Sequence, residues 1–309
     1  MIAAIDIGGT KIAVGIVDNN GHVLSQLSTP TDAAQGYANA LDRTVDLLRK
    51  VEHDANTTIT GIGIGSTGPV YPLTGEFGDM DFLPGWQGKN IVTDLQQVFH
   101  IQAALENDAD ASALGEAAWG AGKHKSRLIY ITVGTGIGGG ILLDGHLYRG
   151  ADHSHPELGH HVIDATSGPE CSCGFRGCWE AVAAGPAMPA WMQANTPANY
   201  PNREGLTAKQ ICDLAREGDP LARQCIDREA RYLGLGLANL INCFTPDAIV
   251  LGGSVMNSAD LFLDGIHKTI HQGCRYVPYQ KTKILRASLG ENANLIGAAR
   301  VWHHRFAKR

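Results

Sequence analysis

Short apolar runs separated by glycine and asparagine turns open this chain. Residues 2–8 form one such run, which ends at Gly8-Gly9, and residues 11–17 form a second. A third extended segment covers residues 22–27. Runs of this length between turn residues are typical of hairpin strands. The pattern therefore predicts a three-stranded meander at the start of a globular domain.

Helical and extended patterns alternate further along the chain. Asp219 followed by Pro220 supplies an N-cap and a first helical residue for a long helix that ends near Phe244. The Asn- and Pro-rich residues 190–205 are predicted to form an irregular surface insertion. The other predicted helices are 37–51, 110–119 and 207–217, and the other predicted strands are 59–65, 101–106, 128–133, 140–143 and 248–251.

The opening pattern occurs a second time in the middle of the chain. A shift of 126 residues lays Ile5, Ile7, Gly8, Ile16 and Asp18 over Ile131, Val133, Gly134, Leu142 and Asp144. This match indicates an internal duplication, although two hairpins of similar composition could also produce it. The predicted organisation is a small α/β lobe at residues 1–118, completed by a C-terminal helix at 293–309, and a larger lobe at 119–292.

Composition limits the class of protein. Of 309 residues, 44% are hydrophobic, and the formal net charge of −6 is spread along the chain. This balance argues against nucleic acid or an anionic membrane as a partner. No apolar stretch approaches the ~18 residues of a membrane span, and the N-terminus does not resemble a signal peptide. We therefore expect a cytoplasmic protein with a small-molecule ligand.

Three glycine-rich turns follow apolar strands, and each could present backbone N–H groups to a phosphate. They are Gly8-Gly9-Thr10-Lys11, Gly134-Thr135-Gly136-Ile137-Gly138-Gly139 and Gly252-Gly253-Ser254. Any one of them, taken alone, could equally be a tight hairpin turn. Asp6, Thr10 and Lys11 around the first turn favour phosphate binding.

Two segments satisfy the G-x-G-x-x-G pattern of dinucleotide-binding proteins, one beginning at Gly134 and the other running from Gly63 to Gly68. That fingerprint has to open a helix whose N-terminus meets the pyrophosphate. Residues 140–148 resemble a strand instead, and residues 69–78 contain two prolines. The sequence also contains no G-x-x-x-x-G-K-[ST], so neither a nicotinamide enzyme nor a P-loop protein is predicted.

Asn107 and Asp108 lie where a predicted strand ends and a helix begins. Open α/β sheets bind their ligands at such strand ends. Asn and Asp are also the usual helix N-caps, and that structural explanation is equally compatible with this segment. The functional alternative is that Asp108 orients an attacking hydroxyl and accepts its proton, as phosphoryl transfer requires.

Cys171, Cys173 and Cys178 lie close together, and His160 precedes the first of them by eleven residues. Three sulfur atoms and one imidazole suit a closed, tetrahedral zinc site. The other cysteines, Cys212, Cys225, Cys243 and Cys274, are interpreted as buried small hydrophobic residues. Four further histidines, His146, His153, His155 and His161, are interpreted as ordinary surface or core residues.

In combination, these motifs resemble the ROK family of sugar kinases and sugar-responsive repressors, over essentially the whole chain. The resemblance rests on Asp6-Ile-Gly-Gly-Thr-Lys11, Glu106-Asn-Asp108, Gly134-Thr-Gly-Ile-Gly-Gly-Gly140, Glu157-x-Gly-His160, the cysteine cluster, Gly177-Cys-Trp-Glu180 and Val250-Leu-Gly-Gly-Ser254. It implies a two-lobed actin/hexokinase-like (ribonuclease H-like) fold, with the ligand cleft between the lobes, and ATP, Mg²⁺ and structural Zn²⁺ as cofactors.

The resemblance also implies roles for individual residues. Asp108 would be the catalytic base. The sugar would be bound by Gly68, Asn107, Asp108, Glu157, His160 and Glu180. ATP and magnesium would lie near Asp6, Gly9, Thr10, Lys11, Thr135, Gly136, Gly252 and Gly253. Zinc would be held by His160, Cys171, Cys173 and Cys178. Relatives are commonly dimers or tetramers, so a homo-oligomer is expected.

The chain departs from the glucokinase pattern at one position. Many family glucokinases have Asn two residues before the Pro-Gly-Trp found here at Pro84, whereas this chain has Phe82, preceded by Asp81. Glucose is the leading substrate, with phosphorylation at the 6-hydroxyl, and an N-acetylhexosamine such as N-acetylmannosamine is the alternative.

A sugar-responsive regulator is disfavoured because the sequence has no helix-turn-helix before the first glycine turn and no basic patch. A catalytically inactive sugar-binding protein is disfavoured because Asp108 and the glycine turns are present.

Overall fold

A computed structural model describes residues 1–197 and 205–307, and this part of the chain is mixed α/β, as the pattern predicts. Its strands are β1 (Ile2–Ile7), β2 (Lys11–Val17), β3 (Val23–Pro30), β4 (Gly61–Ser66), β5 (Val70–Tyr71), β6 (Glu76–Phe77), β7 (Ala103–Asn107), β8 (Leu128–Val133), β9 (Ile137–Leu143), β10 (His146–Leu147), β11 (Ala248–Gly252) and β12 (Lys283–Arg286). Its α-helices are α1 (Gly36–Asp54), α2 (Ile91–Phe99), α3 (Asp108–Ala118), α4 (Trp179–Ala183), α5 (Ala187–Asn195), α6 (Ala208–Glu217), α7 (Pro220–Phe244), α8 (Ala259–Gly273) and α9 (Ala293–Phe306).

The first sheet contains five strands in the order β3-β2-β1-β4-β7. The predicted meander forms its antiparallel part, because β1 pairs with β2 and β2 with β3. Strands β4 and β7 continue the sheet parallel to β1. Three parallel strands therefore end at one edge, and that edge carries the candidate residues of this half of the chain.

Strand β4 shows why the sheet packs so closely against α9. Its sequence alternates glycine with isoleucine, so Ile62 and Ile64 enter the apolar core while Gly61 and Gly63 face the helix. A Cβ atom on Gly63 would collide with the backbone carbonyl of Ala298, so only glycine fits there. The G-x-G pattern of this segment is thus explained by packing within the protein.

The second sheet also has five strands, in the order β10-β9-β8-β11-β12. Moving β1 and β2 by 126 residues places them on β8 and β9 with the same first and last positions. In both sheets the antiparallel strands lie at one side, and the later strands of the sequence follow at the other. The equal strand limits and equivalent strand orders support the internal duplication.

Contacts divide the chain into two compact units. The first consists of Met1–Tyr130, Gly140–Pro156 and Ala287–Arg309, and the second consists of Ile131–Gly139 and Glu157–Arg286. Helix α9 belongs to the first unit, where it covers a small apolar cluster that includes Ile2, Ala4 and Val17. The lobe boundaries at residues 118 and 292 stay a prediction. No described helix is long and apolar enough to cross a membrane.

The prediction for α7 is confirmed, because the helix begins at Pro220, and the Asp219 side chain accepts hydrogen bonds from the N–H groups of Leu221 and Ala222. The predicted strand 140–143 instead begins at Ile137. Its first residues are mostly glycine and show no side-chain alternation, which is why the pattern starts too late.

The predicted irregular insertion at residues 190–205 is wrong in its first part. Residues up to Asn195 belong to α5, whose buried Met188 and Met192 are one helical turn apart. The Asn- and Pro-rich composition obscured that spacing, and proline is tolerated in a first helical turn. Residues 196, 197 and 205 lie outside helices and strands, as predicted, whereas residues 198–204 lie outside the described residues, as do the last two residues of the predicted helix 293–309.

The prediction that the isolated cysteines are buried holds for Cys212, Cys225 and Cys274 and is wrong for Cys243, which is exposed. Cys243 lies in the last turn of α7, after the buried Leu240 and Ile241 have ended the helix's apolar face. A cysteine in an apolar helix can therefore still point to solvent near the helix end.

Candidate functional site

Three parallel strands of the first sheet, β1, β4 and β7, end side by side. Their register places Asp6 beside Gly65 and Gly65 beside Glu106. The chain leaves this edge through the first glycine turn after β1, through Gly68 after β4 and through Asp108 after β7. The carboxyl edge of parallel strands is where α/β proteins place ligands, so this edge is the candidate site of the first unit.

Asn107 and Asp108 form the corner between β7 and α3. The backbone N–H of Ala109 donates to the Asn107 Oδ1 at 2.9 Å and to the Asp108 Oδ1 at 2.8 Å. The helix begins at Asp108, two residues before the predicted start, because Asn107 is its N-cap. A Cβ atom on Gly68 would lie 3.1 Å from the Asn107 amide nitrogen. Asn107 therefore does cap α3, and the cap fixes the half-buried Asp108 at the carboxyl end of β7.

Both acids at this edge bind protons more tightly than a free aspartate. Burial raises the pKa of Asp108, the N–H of Ala109 opposes that rise, and the charge of His155 also lowers the pKa. Burial and the charge of Asp108 raise the pKa of Asp6 to about 6, against the lowering effects of Asn294 and Lys11. Burial is the main cause for both acids, and a bound cation would favour their ionised forms.

The first glycine turn connects β1 to β2 as a tight hairpin. The N–H of Gly8 donates to the carbonyl of Lys11 at 2.9 Å, and the Thr31 hydroxyl donates to the carbonyl of Gly8 at 2.6 Å. Thr10 and Lys11 are exposed at its tip. Side chains and backbone N–H groups at this tip are therefore available to an anionic ligand.

Phe82, the residue that departs from the glucokinase pattern, lies against this turn. A Cβ atom on Gly9 would lie 3.5 Å from the Phe82 ring, which is 46% exposed. Trp86 anchors the loop that carries Phe82, because its buried ring contacts the rings of Tyr37 and Phe77 at centroid distances of 5.3 and 5.1 Å. The aromatic side chain at position 82 is therefore held beside a predicted phosphate loop.

The second glycine turn lies in the second unit, between β8 and β9. Glu180, from α4, accepts a hydrogen bond from the N–H of Ile137 through its Oε2 at 2.9 Å. The carbonyl of Gly134 accepts from the N–H of Gly185 at 2.8 Å. A Cβ atom on Gly136 would collide with the Glu180 carboxylate. The structure therefore places Glu180, predicted as a sugar contact, directly on the second turn.

The third glycine turn follows β11 and lies next to the second. Gly253 has a φ of +89°, and a Cβ atom there would collide with the backbone of Val133. A Cβ atom on Gly134 would lie 3.6 Å from the Ser254 hydroxyl. Glycine is required at position 253 both by its left-handed backbone and by this close approach. The two turns thus form one glycine-lined surface of the second unit.

The cysteine segment brings four potential metal ligands together. The ligand atoms of His160, Cys171, Cys173 and Cys178 all lie within 4.8 Å of one another. The Cys173 and Cys178 sulfur atoms are 3.4 Å apart, and the His160 Nδ1 is 3.4 Å from the Cys171 sulfur. Ligand atoms around a tetrahedral zinc ion with bonds of about 2.0 to 2.3 Å are separated by roughly 3.5 to 3.8 Å. The donor set and its spacing therefore fit zinc.

A group of four charged or polar side chains at the Asn107–Asp108 corner was not predicted. Its members are Glu106, Asp110, Arg149 and His155, and we call it the corner cluster. The fully buried Asp110 accepts through its Oδ2 from Arg149 at 2.6 Å and lies 2.7 Å from the His155 Nδ1. Arg149 also pairs with Glu106.

Nothing in the sequence pattern marks Arg149 or His155 as partners of Asp110, because they lie 39 and 45 residues away from it in the sequence. The interpretation of His155 as an ordinary surface or core histidine misses this contact. The sequence analysis also missed Asn294, which is distant in sequence from the residues it contacts. Its side-chain oxygen accepts a hydrogen bond from the Ser112 hydroxyl at 2.9 Å, and its side chain hydrogen-bonds to Asp6.

The predicted site residues thus fall into two sets, one in each unit. The first unit holds Asp6, Gly9, Thr10, Lys11, Gly68, Asn107 and Asp108. The second unit holds Thr135, Gly136, Glu157, His160, Cys171, Cys173, Cys178, Glu180, Gly252 and Gly253.

Comparison with known proteins supports a common origin for these features. The model of the ROK family matches residues 2–305. A glucokinase from Streptomyces coelicolor is 34% identical over 312 residues, which cover 96% of this chain and 95% of that protein. A xylose repressor from Bacillus spizizenii is 33% identical over 216 residues, which cover 70% of this chain and 54% of that protein.

Among solved structures, a ROK family glucokinase from Streptomyces griseus in complex with glucose and AMPPNP superimposes with a TM-score of 0.82. Its sequence is 31% identical, and the match covers 98% of this chain and 99% of that one. Similarity of this extent includes both sheets and all three glycine turns.

Proposed function

The chain belongs to the ROK family, and from that premise we propose that it transfers the γ-phosphoryl group of ATP to the 6-hydroxyl of a hexose, glucose foremost, with Asp108 as the base. It is an ATP-dependent sugar kinase with the actin/hexokinase-like fold of the solved ROK kinases. The sugar, the residue roles and the metals are our proposals, and so is the cytoplasmic location.

One observation supports the catalytic role above all others. Asp108 begins α3 at the edge where β1, β4 and β7 end, among Asp6, Gly68 and Asn107. The N–H of Ala109 binds one of its carboxylate oxygens, and the second can accept a hydrogen bond from a sugar hydroxyl. A carboxylate held in this way orients the attacking oxygen and receives its proton late, when the bond to phosphorus has formed.

The glycine turns and Lys11 would hold the phosphates. Backbone N–H groups without neighbouring side chains can surround phosphate oxygens, and Lys11 adds a positive charge. The Asp6 carboxylate is the hard oxygen ligand that Mg²⁺ prefers. Burial, together with the charge of Asp108, raises its pKa, so a bound cation would favour its ionised form. When bound, Mg²⁺ neutralises charge on the phosphate oxygens.

Zinc would be held by His160 and the three clustered cysteines in a structural role. Four protein ligands leave no open coordination position, so the ion would not take part in the chemistry. Glu157 immediately precedes the short helical turn Leu158–His160, and Glu180 follows Cys178 by two residues. The metal would therefore stiffen the segments that present Glu157, His160 and Glu180 to the sugar.

Glucose is favoured by the glucokinase relatives, and the environment of Phe82 is the reason to test other sugars. Phe82 cannot donate or accept the hydrogen bonds of the Asn that stands there in many family glucokinases. Its ring is held beside Gly9, where it would present an apolar surface. An apolar surface discriminates less sharply than a hydrogen-bonding group, so we also consider N-acetylmannosamine.

Asp108→Asn tests the proposed base, because the amide keeps the shape of the side chain and removes its basicity. We expect kcat to fall by about a hundredfold or more, with little change in the KM for ATP or sugar. Asp46→Asn, at an exposed position on α1, is the matched control and should keep full activity. Retention of more than about a tenth of kcat by Asp108→Asn would remove Asp108 from the role of base.

A panel of sugars decides the substrate. ADP release should be compared for glucose, mannose, fructose, allose, N-acetylglucosamine and N-acetylmannosamine at equal ATP. We expect the highest kcat/KM with glucose. A much higher value with another sugar would make that sugar the substrate.

The similarity to the xylose repressor makes a sugar-responsive regulator the second candidate. Sugar binding without ADP release from any member of the panel would favour that candidate.

A further inference from the structure

The cysteine segment, which runs from His160 to Cys178, brings its two ends together at Asp164 and Gly177. The N–H groups of Ile163 and Asp164 donate to the carbonyl of Gly177 at 2.9 and 3.2 Å. Gly177 has a φ of +74°, and a Cβ atom there would collide with the carbonyl of Asp164. Asp164 therefore lies at the joint between the two ends of the segment that carry metal ligands.

The Asp164 side chain is bonded both within the segment and to a distant helix. Its Oδ1 accepts from the N–H of Ser167 at 3.0 Å, and its Oδ2 accepts from the Ser167 hydroxyl at 2.7 Å. The Oδ2 also accepts from the hydroxyl of Tyr232, on α7, at 2.7 Å. The bonds to Ser167 shape the local turn, whereas the bond to Tyr232 attaches that turn to a helix of 25 residues.

Tyr232 also contacts the chain beyond the last cysteine, through its backbone. Its carbonyl accepts from the indole N–H of Trp179 at 3.1 Å. Trp179 is fully buried and lies between Cys178, a proposed zinc ligand, and Glu180, a proposed sugar contact. A Cβ atom on Gly236 would collide with the Trp179 ring, so α7 fits closely against it. One residue of α7 thus contacts the chain on both sides of the cysteines.

Arg228 extends this face of α7. Its guanidinium lies 4.7 Å from the centre of the Tyr232 ring, and its Nη1 donates to the carbonyl of Val182 in α4 at 3.0 Å. Arg228, Tyr232 and Gly236 are spaced by four residues and therefore share one side of the helix. That side supports α4, whose Glu180 binds the second glycine turn.

We propose that Tyr232 is a positioning residue for the sugar site of the second unit: its hydroxyl holds Asp164, and through Asp164 it fixes the cysteine segment on α7, so that the segment retains zinc and presents His160 to the sugar. This inference rests on the zinc and sugar contacts given above as the proposed function. Tyr232 acts through Asp164, without contact to zinc or sugar.

Tyr232→Phe removes only the hydroxyl that reaches Asp164, and the aromatic ring and the backbone carbonyl stay in place. The matched control is Tyr276→Phe, because Tyr276 is 93% exposed. Asp164→Asn removes the partner instead: its amide oxygen can still accept from the N–H of Ser167, but its amide nitrogen cannot accept from Tyr232. Each variant should lower the melting temperature by no more than a few degrees.

The rate at which zinc leaves the protein is the primary measurement, followed with a chromophoric chelator. Removing a residue that orients metal ligands from outside the coordination sphere typically weakens metal binding by about tenfold to a hundredfold. Asp164 is not itself a ligand, so we expect the lower end of this range. Zinc should leave Tyr232→Phe about tenfold faster than the wild type, and Tyr276→Phe should release it at the wild-type rate.

Kinetics should show a matching change in sugar binding. Losing a contact that is equally strong in the ground state and the transition state raises KM and leaves kcat unchanged. We therefore expect Tyr232→Phe to raise the KM for the sugar by about threefold to tenfold, with kcat at saturating sugar close to the wild-type value. A lower melting temperature with an unchanged KM and an unchanged rate of zinc release would assign Tyr232 a purely structural role.

The double variant Tyr232→Phe/Asp164→Asn tests whether their hydrogen bond carries the effect. Two residues that act through one shared contact are not additive. Zinc should therefore leave the double variant no faster than it leaves the faster single variant. If the two accelerations multiply, Tyr232 and Asp164 act separately, and the inference is overturned.

The outcomes separate this inference from the proposed function. Wild-type protein without zinc would reject the metal site and this inference together. A zinc protein whose Tyr232→Phe variant releases the metal at the wild-type rate would reject this inference alone. Faster release from Tyr232→Phe, in a protein that phosphorylates no sugar, would reject the kinase function and keep the role of Tyr232 in holding the cysteine segment.

Discussion

At the scale of single residues, the site of the first unit is built from acids in unfavourable surroundings. Asp6 is buried and next to another carboxylate, and its pKa rises to about 6. Asp110 is fully buried and depends on Arg149 and His155. The ionised Asp6 therefore lowers the stability of the free protein, and the proposed cation would offset that loss, which is the usual conflict between stability and activity.

The raised pKa of Asp6 predicts a measurable stability effect. Because its folded-state pKa of about 6 exceeds the ordinary 3.8, the native state binds the proton more tightly than the unfolded state. Ionisation of Asp6 therefore lowers the free energy of unfolding as pH rises from about 4 to about 6, by up to roughly 3 kcal/mol. Asp6→Asn should raise the melting temperature at pH 8, without nucleotide or Mg²⁺, and should not raise it at pH 4.

Asp46→Asn, on the exposed surface of α1, should leave the melting temperature unchanged at both pH values. The Asp6→Asn gain at pH 8 should be accompanied by a large loss of kinase activity, since the proposed magnesium contact is gone. If Asp6→Asn raised the melting temperature equally at pH 4 and pH 8, the ionised Asp6 carboxylate would not be the cause of the lower stability.

At the scale of elements, local sequence determines most of what was predicted correctly. The limits of β2, β8 and α7 follow from apolar runs and from the Asp219-Pro220 start, which act within a few residues. The predictions fail where glycine or composition hides the pattern, as at the start of β9 and in α5. The corner cluster could not be predicted, because a contact between His155 and Asp110 depends on how distant segments fold together.

We expect the structure of the cysteine segment to depend on bound zinc. We expect about one zinc per chain in protein purified without chelators. Removing it should lower the melting temperature and weaken sugar binding, because His160 and its neighbours lose their anchor. Elemental analysis measures the zinc content, and calorimetry measures the melting temperature and the affinity for sugar.

Cys171→Ser and Cys243→Ser form a matched pair for this test. Cys171 belongs to the cluster, whereas Cys243 is exposed and lies on α7. Zinc content should fall in the first variant and stay at the wild-type level in the second. Wild-type protein without zinc would exclude the metal site, and equal loss in both variants would exclude its assignment to the cluster.

At the scale of the whole molecule, the first unit is assembled from three separate stretches of the chain. Its last stretch contains α9, which covers Ile2, Ala4 and Val17 and packs against the glycine face of β4. The N-terminal residues therefore cannot complete their core until the C-terminal helix has been made. The sequence analysis predicts a helix at residues 293–309, whereas its close fit on β4 emerges only from the packed structure.

Ending the chain at Asn292 should abolish folding of the first unit, because α9 and its apolar cover are missing. We expect an insoluble protein, or one without a cooperative thermal transition. Ending the chain at Ala307 removes two residues beyond α9 and should preserve both the transition and the activity. A soluble, cooperatively folding protein that ends at Asn292 would show that α9 is dispensable.

The repeated hairpin shows how its two copies differ in sequence. Segments 2–17 and 128–143 have equal strand and turn lengths, and a slip of one residue would turn every side chain to the opposite face. Neither copy has therefore kept an insertion or a deletion. Divergence was confined to side chains: the positions of Asp6 and Lys11 are occupied by Thr132 and Ile137 in the other copy. Under the inferred duplication, both copies kept the same backbone and diverged by substitution alone.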